Sequence, residues 1–452
     1  YRPNDGNEDR DPWRLRVNQR GEVRDATLLM CPGLMALPLR VPSAEHGPRL
    51  RFGLTGLPEA RRVRGDGVLL SVSFEDADGM SSALQEFGFD PKNERDDRAW
   101  GERIVDLGPV AGREGKLVFS LRDVDDEPDE MDAVLLSDPR IEPTLGEVPG
   151  LNVLLIGVDT LRADHLSVFG YERETTPNLA ALADAGVRFS NTRSQAPWTL
   201  PSFSSTLTSL YPSVHGAGRG GHDEWEPIDP NTVSIAEVLT RNGYETAGIV
   251  ANGLISPRYG LDQGYASYQA AWAMESVQRD TPRVSSFIEE HTQTPWHLFW
   301  HIMDPHLPYS TEGSFREEFT DAEYDGRFSG ARGGEVPFEV LDPRPGRRWF
   351  AHEGPPPAPE LSDADKRYVV DYYDAEIAEM DAAVGKVIEA LKASGQWDRT
   401  IVAFIADHGE GLGDHDHYHH GYTLYDDQVH VPMILRIPGR DIGRVVERPV
   451  AA

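Results

Sequence analysis

Three apolar runs in this chain end the same way. NVLLIGV (152–158) runs into Asp159, WHLFWHIM (296–303) into Asp304, and TIVAFIA (400–406) into Asp407 followed by His408. Each is short and mostly apolar, as strands buried on both faces of a parallel sheet are. Between them lie stretches with helical spacing, TPNLAALADAGV, TVSIAEVLTRNG and the long KRYVVDYYDAEIAEMDAAVGKVIEALKASG, and one more strand-like run, ETAGIVA. This alternation predicts an α/β fold, with a mostly parallel central sheet flanked by helices. In such a sheet the carboxyl ends of the strands share one edge, where ligands bind. Carboxylates delivered together to that edge repel unless a cation lies between them, so the pattern points to a divalent metal. Any one of these acids taken alone has a plainer reading, as a turn former or helix cap.

Before Leu151 the pattern differs. RLRFGLTGL, GVLLSVSF, RIVDLG and GKLVFSLRDV are short runs separated by Gly, Pro and Asp turn signals, which predict an all-β sandwich over residues 1–145. The stretches DVDDEPDEMD and PRIEPTLGEVPG close it, and the α/β domain is expected over 150–452. The turn-rich segment 311–360 reads as a surface excursion. A chain of 452 residues accommodates two such cores. With 44 Lys and Arg against 75 Asp and Glu, the net charge of −31 excludes nucleic acid as a general partner. The single cysteine, Cys31, excludes an internal disulfide framework and a cysteine-built zinc site. No apolar run reaches the roughly 18 residues of a membrane span. The chain opens on YRPNDGNEDR, so any targeting segment is expected upstream of it.

The stretch SQAPWTLPSFSSTLTSLYPSVHG holds Thr199 at a helix start. Two readings stand: a hydroxyl cap, or a nucleophile aimed with free N–H groups and the helix dipole at an anion. HIMDPHLPY supplies His301 and His306 around Asp304, and GDHDHYHHGYTLY supplies His415, His417, His419 and His420. His306 and His420 each lie close to a turn beside a strand and are the candidates for proton relay or charge balance. Arg162, in DTLRADH, and Asp304 are the candidates for substrate contact.

Taken in order, five blocks resemble the sulfatase family of the alkaline phosphatase superfamily: NVLLIGVDTLRADHLSVFGYERETTPNLAALADAGVRF, PWTLPSFSSTLTSLYPSVHG, HIMDPHLPY, YYDAEIAEMDAAVGKVIEAL, and VAFIADHGEGLGDH with the following HHGYTLYDDQVHVPMIL. The resemblance covers Leu151 to Ala452 and implies a metal held by Asp159, Thr199, Asp407 and His408. It also implies a departure. Formylglycine sulfatases carry Cys or Ser in a C/S-x-P-x-R pattern, where this chain has Thr199-Leu200-Pro201-Ser202-Phe203, and the acid often found after the first Asp is Thr160 here. Threonine nucleophiles mark the phosphorus-handling relatives, namely phosphodiesterases and phosphoglycerol or phosphoethanolamine transferases. In the two-metal members of that group, residues matching Asp304, His306 and His420 hold a second ion.

The resemblance therefore implies a metal-dependent hydrolase or transferase of phosphate esters, phosphodiester or phosphonate monoester, acting through Thr199 with His306 and His420 at the charged oxygens. Mn²⁺ or Zn²⁺ suits the mixed O/N ligands better than Ca²⁺ or Mg²⁺. The alternatives are a sulfuric ester hydrolase working without formylglycine and an inactive glycan- or anion-binding protein. The expected partner is a small, glycan-linked or lipid-linked anionic ester, and the expected location is periplasmic, cell-surface or secreted. The front domain loosely resembles a jelly-roll carbohydrate-binding module, with a glycan-binding or a purely structural role. The family continues beyond a segment such as VPMILRIPGRDIGRVVERPVAA, so a further C-terminal part is expected.

Overall fold

The computed structural model describes residues 14–19, 22–30, 32–43, 47–56, 67–90, 101–123, 133–142, 150–220, 225–270, 277–311, 313–329, 335–337, 341, 359–440 and 442–452. Cys31, the boundary stretch 143–149 and much of the predicted excursion 311–360 lie outside these residues. The chain divides into two compact units: Tyr1–Pro149 with Ala266–Gln269, and Gly150–Tyr265 with Ala270–Ala452.

The first unit is built from β1 (Arg14–Gln19), β2 (Glu22–Met30), β3 (Gly33–Arg40), β4 (Arg49–Gly56), β5 (Val68–Asp76), β6 (Ser81–Phe89), β7 (Gly101–Asp106), β8 (Glu114–Asp123) and β9 (Ala133–Glu142). One antiparallel sheet runs β2-β9-β4-β7 with β1 beside β2, and the other runs β3-β8-β5-β6. Alternation does the sorting. Along β5, Val68, Leu70, Val72 and Phe74 are buried while the residues between them are half-buried. They share one core with Leu50, Phe52, Leu54, Val134 and Leu136 of the other sheet. Phe52 meets Phe119 across the two sheets edge to face, with ring centres 5.4 Å apart. The unit is an all-β sandwich, as the alternation predicts.

The second unit holds β10 (Asn152–Val158), β11 (Val187–Arg193), β12 (Glu245–Val250), β14 (Trp296–Ile302), β15 (Thr400–Ala406), the short pair β16 (Gly411–Leu412) and β17 (Tyr418–His419), β18 (His430–Arg436), β19 (Arg444–Val446) and β20 (Val450–Ala451). β13 (Ser267–Ala270), whose Ser267–Gln269 part belongs to the first unit, pairs antiparallel with β2 there. The main sheet runs β19-β11-β18-β15-β10-β14-β12. Its centre is parallel, since β10 pairs in parallel with both β14 and β15, and β12 with β14. β18 is antiparallel to β15 and β11. The helices are α1 (Pro177–Asp184), α2 (Thr199–Thr208), α3 (Pro212–His215), α4 (Ile235–Arg241), α5 (Val277–Glu290), α6 (Ser314–Phe319), α7 (Asp363–Ala393) and α8 (Asp426–Val429). α4 and α7 each open on a capping box, Ser234 with Glu237 and Ser362 with Asp365. α7 buries Tyr372, Tyr373, Ile377, Met380 and Val384 in one core with Leu154, Ile156, Leu298, Trp300 and Phe404 of the central strands.

Candidate active site

Register brings the first two acids together. Val158 lies opposite Ala406 of β15 on one side and Ile302 of β14 on the other. The next residue along β10 is Asp159 and along β15 is Asp407, so these two acids leave the sheet side by side. Along β14 the corresponding residue is Met303, and Asp304 comes one step later. After Asp159 the backbone turns through Thr160 at φ +51°, a costly conformation for a β-branched residue. The turn is clamped. The Thr160 N–H donates to Asp407 Oδ1 at 3.2 Å, and the buried Tyr373 hydroxyl of α7 donates to the Thr160 carbonyl at 2.7 Å while accepting from the Arg162 N–H at 2.9 Å.

α2 delivers Thr199. A Cβ on Gly157 would stand 2.5 Å from the Phe203 ring, so glycine in β10 is what lets α2 lie this close. Phe203, at the position of the family pattern's arginine, is fully buried against Phe299 and His301 and acts as packing. Ser202 fixes the helix by donating its hydroxyl to the Asp407 carbonyl at 2.7 Å. Thr199 is the first helical residue. The capping position is Trp198, and no side chain caps this helix, so the capping reading of Thr199 falls. Its Oγ1 instead lies 3.4 Å from His408 Nε2.

The His408 ring is oriented by its other nitrogen, which donates from Nδ1 to the Gly409 carbonyl at 2.9 Å. In the neutral ring the lone pair therefore sits on Nε2. That atom is 3.5 Å from Asp159 Oδ1 and 3.3 Å from Asp407 Oδ2. Both oxygens are buried without a hydrogen-bond partner. Orphaned buried carboxylate oxygens are costly, and a cation shared among them removes the cost. Asp159, Asp407 and His408 form the one group among the described residues with the spacing and donor set of a metal site. The donors fit a divalent ion with mixed O/N ligands. Electrostatics agree. Burial and then the Asp159 charge push the Asp407 carboxyl well above its usual range, while burial pushes His408 down to about 3. For Asp159 burial works against ionisation, but His301, then His306 and His408, outweigh it and hold the carboxyl below its usual range.

His420 and His306 join this centre. The His420 ring lies 4.4 Å from that of His408, and His306 lies 5.1 Å from His420. Burial, then the neighbouring His306, lowers His420 to about 3. Glu410 holds His420 Nδ1 at 3.1 Å and is itself pushed up to about 8 by burial. Asn252, just beyond β12, donates from Nδ2 to Asp159 Oδ2 at 2.6 Å. His301, fully buried, stands 3.5 Å from the same oxygen. Sequence reasoning missed Asn252 and Glu410. Asn252 follows a buried parallel strand much as the acids do, and Glu410 lies two residues after His408, so both carried a signal.

The two residues expected to contact substrate each have protein partners. The Arg162 guanidinium is buried and engaged by Asp164 at 2.8 Å, Asp414 at 2.6 Å and the Glu410 carbonyl at 3.2 Å. Asp304 turns away and accepts from the Val277 N–H that opens α5, at 2.8 Å. Burial, together with Glu379 and Asp280, pushes it up to about 7. His415 stacks on Tyr425, and His417 is held by Gln428.

A sheet whose carboxyl edge carries a buried Asp/Asp/His group beside a helix-borne hydroxyl defines a class, and the comparisons agree. The sulfatase family model matches residues 151–451, and the chain belongs to that family, within the alkaline phosphatase superfamily. A sulfatase of Formosa agariphila is 23% identical over 345 residues, 67% of each chain. Human iduronate 2-sulfatase is 25% identical, with 64% of this chain and 60% of that one covered. The solved phosphonate monoester hydrolase of Agrobacterium radiobacter superposes with a TM-score of 0.50 at 22% identity, over 67% of this chain and 71% of its own. The chain spans 67%, 59% and 48% of three of its curated relatives.

Proposed function

We propose that this chain is a metal-dependent ester hydrolase or phosphoryl-group transferase in which Thr199 attacks the phosphorus of a phosphodiester or phosphonate monoester. The observation that carries this reading is the convergence of Thr199 Oγ1, His408 Nε2, Asp159 Oδ1 and Asp407 Oδ2, with both carboxylate oxygens orphaned. Asp159, Asp407, His408 and Thr199 would hold the cation, Mn²⁺ or Zn²⁺. A bound divalent cation would acidify the Thr199 hydroxyl and offset the substrate's charge. Thr199 then forms its bond to phosphorus in line as the bond to the leaving alcohol breaks. His306 and His420 stabilise the charge on the equatorial oxygens, joined by the amino end of α2. Water or an acceptor alcohol releases the phosphothreonine.

Residues 150–452 act as the catalytic domain and 1–145 as an accessory domain, with an anionic glycan-linked, lipid-linked or small ester as substrate. No helix among the described residues is long and apolar enough to cross a membrane, and we assign the protein to the periplasm, cell surface or exterior. Sulfuric ester hydrolysis without formylglycine is the second reading, favoured by the sulfatases among its relatives. Matched nitrophenyl sulfate, phosphate, phosphodiester and phosphonate monoester substrates separate the two. Thr199→Ala should lower turnover of the phosphorus substrates by about 10³-fold or more. Sulfate turnover that survives this substitution would defeat the proposal.

A further inference from the structure

The two oxygens of Asp159 have different surroundings. Oδ1 faces His408 Nε2 and has no hydrogen-bond partner, whereas Oδ2 takes the Asn252 amide at 2.6 Å and has His301 Nε2 at 3.5 Å. We infer that Asn252 is a positioning residue that pins Oδ2 and so turns Oδ1 toward the cation, setting metal affinity without touching metal or substrate. The inference rests on the metal reading above.

Three observations carry it. First, the amide cannot be reversed: Asn252 Oδ1 accepts from the Leu254 N–H at 2.8 Å, so Nδ2 is the end that faces Asp159. Second, the contact is buried, with Asn252 at 8% and Asp159 at 0% exposure, so water does not replace the amide readily. Third, an amide donor is neutral. A lysine or arginine at this place would pin Oδ2 equally well but would compete with the cation for the carboxylate's charge, whereas Asn252 leaves that charge intact. His301 backs the same oxygen from β14. Its ring packs edge-on to Phe203 at 5.0 Å, and neither ring nitrogen has a hydrogen-bond partner, so the ring is held by packing.

The test uses the full chain and equilibrium Mn²⁺ binding, alongside the melting temperature of the metal-free protein. Asn252→Ser keeps a hydroxyl able to cap the Leu254 N–H but is too short to reach Asp159. Asn252→Ala removes both contacts. Both variants should bind Mn²⁺ about 10–100-fold more weakly than the parent, and only Asn252→Ala should melt lower. If one fails to fold, the affinity of the other decides. Parental Mn²⁺ affinity in either folded variant overturns the inference while leaving the metal reading standing. A parent chain that binds no Mn²⁺, or binds it as well after Asp407→Asn, overturns the metal reading and this inference with it.

Discussion

At the carboxyl edge of the second unit β10, β14 and β15 end level, but Met303 intervenes between β14 and its acid, whereas Asp159 and Asp407 follow their strands directly. That pair becomes a site. Asp159 and Asp407 each present an orphaned oxygen to His408, and the backbone around them is clamped by Tyr373, Ser202 and the strained Thr160 turn. The acid of β14 becomes scaffold, with its carboxyl satisfied by the first N–H of α5. Similar sequence endings thus have different surroundings, because one intervening residue, rather than residue type, separates Asp304 from the position at which Asp159 and Asp407 leave the sheet.

The largest test of this contrast removes one acid from each place. Asp407→Asn should weaken Mn²⁺ binding by about 100-fold or more, since it takes away a ligand rather than a ligand's neighbour. Asp304→Asn should leave Mn²⁺ affinity at the parental value, because the amide oxygen still accepts the Val277 N–H. Equal losses in equilibrium binding would erase the distinction between the two strand ends. A smaller effect is expected from Gly157→Ala, which drives a methyl group into Phe203. Overpacking of this kind costs about 1–3 kcal/mol. Displacing α2 moves Thr199 away from His408, so turnover should fall more than Mn²⁺ affinity does. Calorimetric melting together with turnover checks this, and unchanged values for both would show that α2 does not depend on the glycine.

Much of this was legible in the sequence. The apolar runs named the central strands, the periodicity named α4 and α7, and the strand-ending acids pointed to one edge. What the runs could not supply was phase at their ends. WHLFWHIM includes Met303, which belongs to no strand, and that single residue separates Asp304 from the position that Asp159 and Asp407 hold on their strands. Thr199 was ambiguous because cap and nucleophile place a hydroxyl at the same helix start, and sequence does not show that Trp198 takes the capping position. Arg162 looked available because sequence does not show that Asp164 and Asp414 close around it. Asn252 was passed over because an amide lacks the charge that made the acids conspicuous.

The claim that Thr199 is the nucleophile is tested most directly by the stereochemistry at phosphorus. Each in-line displacement inverts configuration, so a phosphothreonine route of two displacements retains it overall, whereas direct attack by water inverts it. Hydrolysis of a chiral phosphorothioate diester in isotopically labelled water should proceed with net retention. Net inversion would contradict the account.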